Sequence, residues 1–121
     1  MAIKKIMVVD DSATERFFLS GLLSKQGYQV VTVESGEEAI AKVKLEKPDL
    51  ILMDVVMPGL NGFQATRAIS KDEETKHIPV IMCTTKGQET DRVWGMRQGA
   101  KDYVVKPVNQ DELLKKIKAL G

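Results

Sequence analysis

Ile6-Met7-Val8-Val9-Asp10-Asp11-Ser12 runs from four apolar residues into two carboxylates and a hydroxyl. A run this short and apolar fits a strand buried on both faces, as in parallel sheets. Three further runs follow the same plan. Leu50-Ile51-Leu52-Met53 ends in Asp54, Val80-Ile81-Met82-Cys83 ends in Thr84, and Tyr103-Val104-Val105 ends in Lys106. As parallel strands of one sheet, they would deliver these polar residues to a single edge. Ligands of open α/β sheets bind in the crevice at that carboxyl edge. Three carboxylates, a hydroxyl and an ammonium gathered there suit a metal-assisted phosphate site.

Outward from these runs, segments of helical period fill the gaps, which is the pattern of repeated βαβ units. The first strand is expected over Ile3 to Val9, and Gln29 to Val33 adds a second, β-branched one. Ser12-Ala13-Thr14-Glu15 and Ser35-Gly36-Glu37-Glu38 both have the S-x-x-E form of a capping box. The helix after the first box carries Phe17, Phe18, Leu22 and Leu23 at helical spacing and stops at Gly27. The helix after the second places Ala39, Ile40 and Val43 on one face. Pro58, Gly59, Asn61 and Gly62 make a loop. A third helix is expected from about Phe63 to Ser70, and a fourth from Gln88 to Gln98, ended by Gly99. Asn109 caps a fifth helix with Leu113, Leu114, Ile117 and Leu120 inward. Five strands and five helices in alternation predict an α/β, flavodoxin-like fold. Its parallel sheet takes the order 2-1-3-4-5, with helices on both faces. That order puts strands 1 and 3 side by side, and with them Asp10, Asp11 and Asp54.

The bulk numbers agree. A chain of 121 residues with 43% hydrophobic content is expected to form one domain, residues 1–121. At 29% charged and net +1 it has no electrostatic basis for binding nucleic acid or a membrane surface. No apolar stretch approaches the roughly 20 residues of a spanning helix. The opening residues lack the pattern of a secretory signal. Cys83 is the single cysteine, so no internal disulfide and no paired-cysteine zinc site can form. A cytoplasmic location is expected.

Like charges about 4 Å apart repel by roughly 4 kcal/mol at an effective dielectric near 20. Three clustered carboxylates therefore imply a cation. Oxygen-only ligands suit Mg²⁺, which keeps several waters and takes one or two carboxylates plus phosphate oxygens. One carboxylate could also be a nucleophile forming an acyl phosphate. Asp54, at the centre of the predicted sheet, is the best placed. Asp10 and Asp11 would then hold the metal, and Thr84 and Lys106 would contact phosphoryl oxygens. Each residue alone would be an ordinary strand end or helix cap; the set carries the reading.

Four motifs, taken together, are specific. They are Val8-Val9-Asp10-Asp11-Ser12, Met53 to Gly62, Cys83-Thr84-Thr85 and Tyr103-Val104-Val105-Lys106-Pro107. With them the chain resembles the receiver domain of two-component response regulators, in the single-domain CheY-like form. The resemblance implies that Asp54 is the phosphoacceptor. It implies direct Mg²⁺ ligation by Asp11, Asp54 and the Val56 backbone carbonyl, with Asp10 acting partly through water. It makes Thr84 the switch hydroxyl, Lys106 the phosphoryl partner, and Tyr103 an aromatic switch that turns inward when Thr84 moves. A cis Lys106-Pro107 bond is also implied. The implied partners are a histidine kinase and a downstream protein at the surface of helix 4, strand 5 and helix 5. A monomer or weak dimer is expected. Met57 to Arg67, Thr85 to Asp91 and Val93 to Ala100 resemble the PilH-like regulators of twitching motility within the type IV pilus chemosensory system. Val56 and Lys86 stand where other members carry acidic or amide side chains. An apolar Val56 cannot orient a hydrolytic water, and Lys86 could add positive charge near the site.

His77 reads as a solvated loop residue, Cys83 as core, and Trp94 as a packing residue of the fourth helix. Beside Trp94, Gly95 costs a helix about 1 kcal/mol relative to alanine. It therefore marks a close contact or a helix meant to shift. Lys115, Lys116 and Lys118 read as a solvated face. The rival reading is a Mg²⁺-dependent aspartyl-phosphate phosphatase, but Asp54-Val55-Val56 lacks the second aspartate of a D-x-D motif. A nucleotide carrier is disfavoured because both glycine-rich phosphate motifs are absent. The expected role is a signalling receiver, with self-phosphorylation and autodephosphorylation as its only chemistry.

Overall fold

The strand-end pattern holds in three dimensions. The structure, a computed structural model, describes residues 2–121. Its elements alternate as β1 (Lys5–Val9), α1 (Ala13–Lys25), β2 (Gln29–Val33), α2 (Gly36–Glu46), β3 (Leu50–Met53), α3 (Gly62–Lys71), β4 (Val80–Thr84), α4 (Glu89–Arg97), β5 (Asp102–Val105) and α5 (Gln110–Leu120). The five strands form one sheet in the order β2-β1-β3-β4-β5, and every pairing is parallel. This is the flavodoxin-like α/β architecture. β1 begins two residues later than Ile3, and β5 begins one residue earlier, at Asp102.

Successive strand residues point to opposite faces, so each face has its own core. Met7, Val9, Ile51, Met53, Val80, Met82 and Tyr103 pack with Ala39, Val43, Ala65 and Ile69 of α2 and α3. Ile6, Val8, Leu50, Leu52, Ile81, Cys83 and Val104 pack with Leu19, Leu22 and Leu23 of α1 and with Leu113, Leu114 and Ile117 of α5. This burial on both sides explains why the strands read as unbroken apolar runs.

The caps form as expected in part. Asn61 and Gln64 exchange both bonds of a capping box at the start of α3. Ser12 and Ser35 accept from the N–H groups of Glu15 and Glu38, at 3.3 and 3.0 Å. Neither glutamate completes its box. The Ser12 N–H goes instead to Asp10 Oδ1 at 2.9 Å, and Glu38 Oε1 accepts from Glu34 N–H.

Several side chains differ from the sequence reading. Phe17 and Phe18 lie on the outside of α1, Phe17 at 83% exposure. The buried stripe is Leu19, Leu22 and Leu23, rotated from the expected one. Leu120, in the last turn of α5, is exposed rather than inward, and Trp94 is half exposed. Lys116 is not simply solvated: its ammonium bonds Asp102 at 2.9 Å. Gly95 does mark a close contact. A Cβ there would lie 3.2 Å from the Tyr103 ring and 3.4 Å from Phe63. Among the described residues, no helix is long and apolar enough to cross a membrane.

Candidate functional site

Register brings the acidic residues together. Val9 pairs with Met53, so β1 and β3 end level with each other. Asp54 N–H then donates to the Val9 carbonyl at 2.9 Å, and Asp10 N–H to the Val33 carbonyl at 3.2 Å. Asp10, Asp11 and Asp54 offer oxygens that all lie within 4.8 Å of one another. Asp10 and Asp54 are buried, at 2% and 6% exposure, while Asp11 faces solvent. The cluster is thus a pit whose outer wall is open.

The other strand ends complete it. Thr84 ends β4 fully buried, and its carbonyl accepts from Lys106 N–H at 2.8 Å. The Lys106 side chain is only 10% exposed. Its Nζ sits 2.7 Å from Asp10 Oδ2, 3.8 Å from Asp54 Oδ2 and 4.0 Å from Glu15 Oε2. The bond that follows it, Lys106-Pro107, is cis. Both Asp10 oxygens are engaged, one by Ser12 N–H and one by Lys106. Asp54 Oδ1 accepts from its neighbour Val55 N–H at 2.8 Å.

Charge follows from this packing. Burial pushes the Asp54 carboxyl above its ordinary value. Lys106 opposes that shift, the Asp10 charge reinforces it, and the Thr84 hydroxyl and the Val55 N–H act on the side of Lys106. For Lys106, burial acts to lower the pKa, but the Asp10 hydrogen bond and the charges of Asp54, Asp10 and Glu15 outweigh it. The result lies above the ordinary 10.5. The stability Lys106 contributes is therefore complete below pH 10.5 and lost as pH rises through its raised value. Urea midpoints should fall in that alkaline range for the wild type and stay flatter for Lys106→Met.

Three carboxylates against one ammonium leave a net negative pit lined with hard oxygen donors. That donor set fits Mg²⁺ and does not fit a thiolate- or imidazole-seeking metal. Val56, expected as a carbonyl ligand, lies in the loop after Asp54 with its side chain turned outward.

Two expected members behave differently. The Tyr103 ring is already inside, at 4% exposure, and its hydroxyl donates to the Lys86 carbonyl at 2.6 Å. Burial, with Asp91 and Asp54, pushes its phenol up to about 12. The Lys86 ammonium stands 4.0 Å from Asp91, and among the described residues it makes no ion pair with the carboxylate cluster. Arg16 was not singled out by the sequence. It donates to the Asp10 backbone carbonyl at 2.8 Å and to Glu34 at 3.0 Å. An arginine in the first turn or so of the helix that follows an acidic pair is the only signal for it. A cavity of about 700 Å³ lies at the opposite edge of the sheet, between Ile3, Val43, Pro48, Ile78 and Leu120. None of the acidic cluster lines it. His77 borders this cavity as an exposed turn residue.

Residues 6–118 match the family of the response regulator receiver domain. The chain belongs to that family. This receiver is 58% identical over 116 residues to the protein PilH of Pseudomonas aeruginosa, covering 96% of each chain. It is 35% identical to the chemotaxis protein CheY4 of Vibrio cholerae, whose structure superposes with a TM-score of 0.92 over 99% of this chain and 100% of that one. It is 30% identical to the receiver domain of the sensor histidine kinase PA1611 of Pseudomonas aeruginosa, with a TM-score of 0.89 and 98% of each chain covered. That domain was solved with a magnesium ion coordinated in its active-site cleft. The receiver spans about half the length of other relatives, which are named as transcriptional regulatory proteins.

Proposed function

We propose that this receiver is a phosphorylation-driven switch in which a histidine kinase donates a phosphoryl group to Asp54. The observation that carries the reading is the Asp54 carboxylate itself. It is buried, raised in pKa, grouped with Asp10 and Asp11, and faced by Lys106. In the transfer, an Asp54 oxygen forms a bond to phosphorus. The phosphorus–nitrogen bond to the donor imidazole breaks, and that nitrogen keeps the electron pair and takes a proton. Asp11, Asp54 and the Val56 carbonyl would hold Mg²⁺ directly. Asp10, whose oxygens already serve Ser12 and Lys106, would complete the site through water. Mg²⁺ would neutralise the charge gathering on the phosphoryl oxygens. Lys106 would exchange part of its bond to Asp10 for a phosphoryl oxygen, and the Thr84 hydroxyl would donate to another.

The readout follows from the ties of Tyr103. Thr84 lies two residues from Lys86, whose carbonyl holds the Tyr103 hydroxyl. A pull on Thr84 would therefore reach a ring that is seated against Gly95 of α4. The surface beside it, formed by α4, β5 and α5, carries exposed Val93, Trp94 and Met96 on α4 and Val105 on β5. That surface would bind a downstream protein, or the chain would act as a sink for phosphoryl groups. The likeness to PilH, together with the PilH-like stretches of the sequence, supports a place in type IV pilus chemosensing and twitching motility, in the cytoplasm. The family match over residues 6–118 supports treating residues 1–121 as one receiver unit.

Incubation with acetyl phosphate and Mg²⁺ tests the reading by intact mass. One phosphoryl group should appear, require Mg²⁺, and leave on treatment with hydroxylamine, as an acyl phosphate does. An adduct that forms equally well in chelator, or that resists hydroxylamine, would overturn it.

A further inference from the structure

The acidic residues stand on two loops, one after β1 and one after β3. Both loops are tied to a third segment, the turn after β2 together with the first turn of α2. Arg16 makes one tie, from the Asp10 carbonyl to Glu34. Glu37 makes the other. Its Oε2 accepts the Leu60 N–H at 3.2 Å, and it lies 2.7 Å from where a Cβ on Gly59 would stand. Gly59 is in the left-handed region, at φ +73°. Glycine there both permits the turn and leaves room for the carboxylate. Gly36, next to Glu37, is equally close to the loop: a Cβ on it would lie 2.9 Å from the Leu60 carbonyl oxygen. Leu60 is thus held by its N–H on one side of the loop, and its carbonyl packs closely on the Gly36 backbone.

Between Asp54 and α3 the loop is anchored by the buried side chains of Val55 and Met57 and by the packing of Leu60 on the same core, but it has few hydrogen bonds. The Gly62 N–H bonds the Val55 carbonyl at 2.9 Å, and Asn61 bonds Gln64 within its own helix cap. Among the described residues, Glu37 is the only side chain from another element that hydrogen-bonds this loop. A carboxylate in the first turn of α2 already suits the helix dipole. That role alone would not require contact with Leu60 or the open face of Gly59.

We propose that Glu37 is a positioning residue for the metal site, holding the β3–α3 loop in the shape that presents Asp54 and the Val56 carbonyl to Mg²⁺. This rests on the Mg²⁺ reading of the cluster given above. Residues that orient metal ligands from outside typically change metal affinity tenfold or more when lost. The Glu37–Leu60 bond is exposed to water, so a smaller change is expected here.

Calorimetric titration of Mg²⁺ into wild type, Glu37→Gln and Glu37→Ala tests it. Glutamine keeps an acceptor oxygen for the Leu60 N–H, and alanine keeps none. Glu37→Ala should bind Mg²⁺ about fivefold more weakly, and Glu37→Gln within about twofold of wild type. In Mg²⁺-free protein, amide exchange at Leu60 should be faster in Glu37→Ala and unchanged in Glu37→Gln. Unchanged Mg²⁺ affinity in Glu37→Ala overturns the proposal. So does an equal loss in both variants, which would assign the effect to long-range charge. Wild-type protein that takes up no Mg²⁺ would instead overturn the reading of the site, and this role with it.

Discussion

Asp54→Asn protein mixed with acetyl phosphate and Mg²⁺ should keep its unmodified mass, while the wild type gains one phosphoryl group. The substitution preserves shape. Its side-chain oxygen can still accept the Val55 N–H that Asp54 Oδ1 accepts at 2.8 Å. It removes the anionic oxygen that would bond phosphorus, and an amide is a far poorer nucleophile. A variant that still gains the group would place the chemistry on another residue. The same variant should be more stable than wild type in low-salt, Mg²⁺-free buffer. Asp54 faces two carboxylates within 4.8 Å and one ammonium at 3.8 Å. Each like-charge pair costs about 3 kcal/mol at an effective dielectric near 20, and the ammonium returns about 4. Asp11 is exposed, so solvent screens its share. Burial of Asp54 adds to the cost. A net gain on the order of 1 kcal/mol would raise the melting temperature by about 4 °C. The sign fixes its pH dependence. A carboxyl raised above 3.8 costs stability as pH climbs from that value through its raised one. The advantage of Asp54→Asn should therefore vanish below pH 3.8, and Mg²⁺ should shrink it at neutral pH.

Gly62→Ala should be among the most damaging single-methyl changes in the chain. A Cβ on Gly62 would overlap the Asp54 carbonyl oxygen and stand 2.8 Å from Val55 Cα. Both neighbours are backbone, so no side chain can rotate away. Either α3 lifts from the sheet or the turn holding Asp54 deforms. Overpacking of this kind costs typically 1–3 kcal/mol, and a backbone clash belongs at about 3 or beyond. Denaturant midpoints should fall accordingly, and Mg²⁺ uptake should weaken because the strained atoms belong to Asp54. Gly21→Ala is the control. Nothing lies within 4 Å of a Cβ there, in the middle of α1. Helix propensity alone should make it more stable by about 1 kcal/mol. Equal stability of Gly62→Ala and wild type would show that the loop yields more than its packing implies.

The strands and their order were readable because each core strand is buried on both faces, leaving apolar runs that stop abruptly at a polar residue. The same abrupt stops located Asp10, Asp54, Thr84 and Lys106. What periodicity could not do was phase α1. Phe17, Phe18, Leu19, Leu22 and Leu23 fill more of the helix than one face can bury, and the sheet took the leucines. Leu120 was misplaced because a helix end lacks a following turn to cover it. Gly62 read only as a loop residue, since its tightness comes from Asp54, close in space rather than in pattern. Arg16 and Glu37 were not legible for the same reason. Each bonds a backbone group on another element, and such a bond demands no particular residue at the other end. Glu15 read as the partner of Ser12, yet Asp10 took that bond, because the turn after β1 folds back on itself before the helix begins.

Cys83 sits in the middle of the sheet, 2% exposed, and burial pushes its thiol up to about 12. At neutral pH it is neither reachable nor ionised, so reagents that alkylate thiolates meet a native chain with nothing to attack. A cysteine introduced on the outer side of α4 would then be the single point of attachment for a dye or spin label. The motion of that helix can be followed in a protein that keeps its natural thiol.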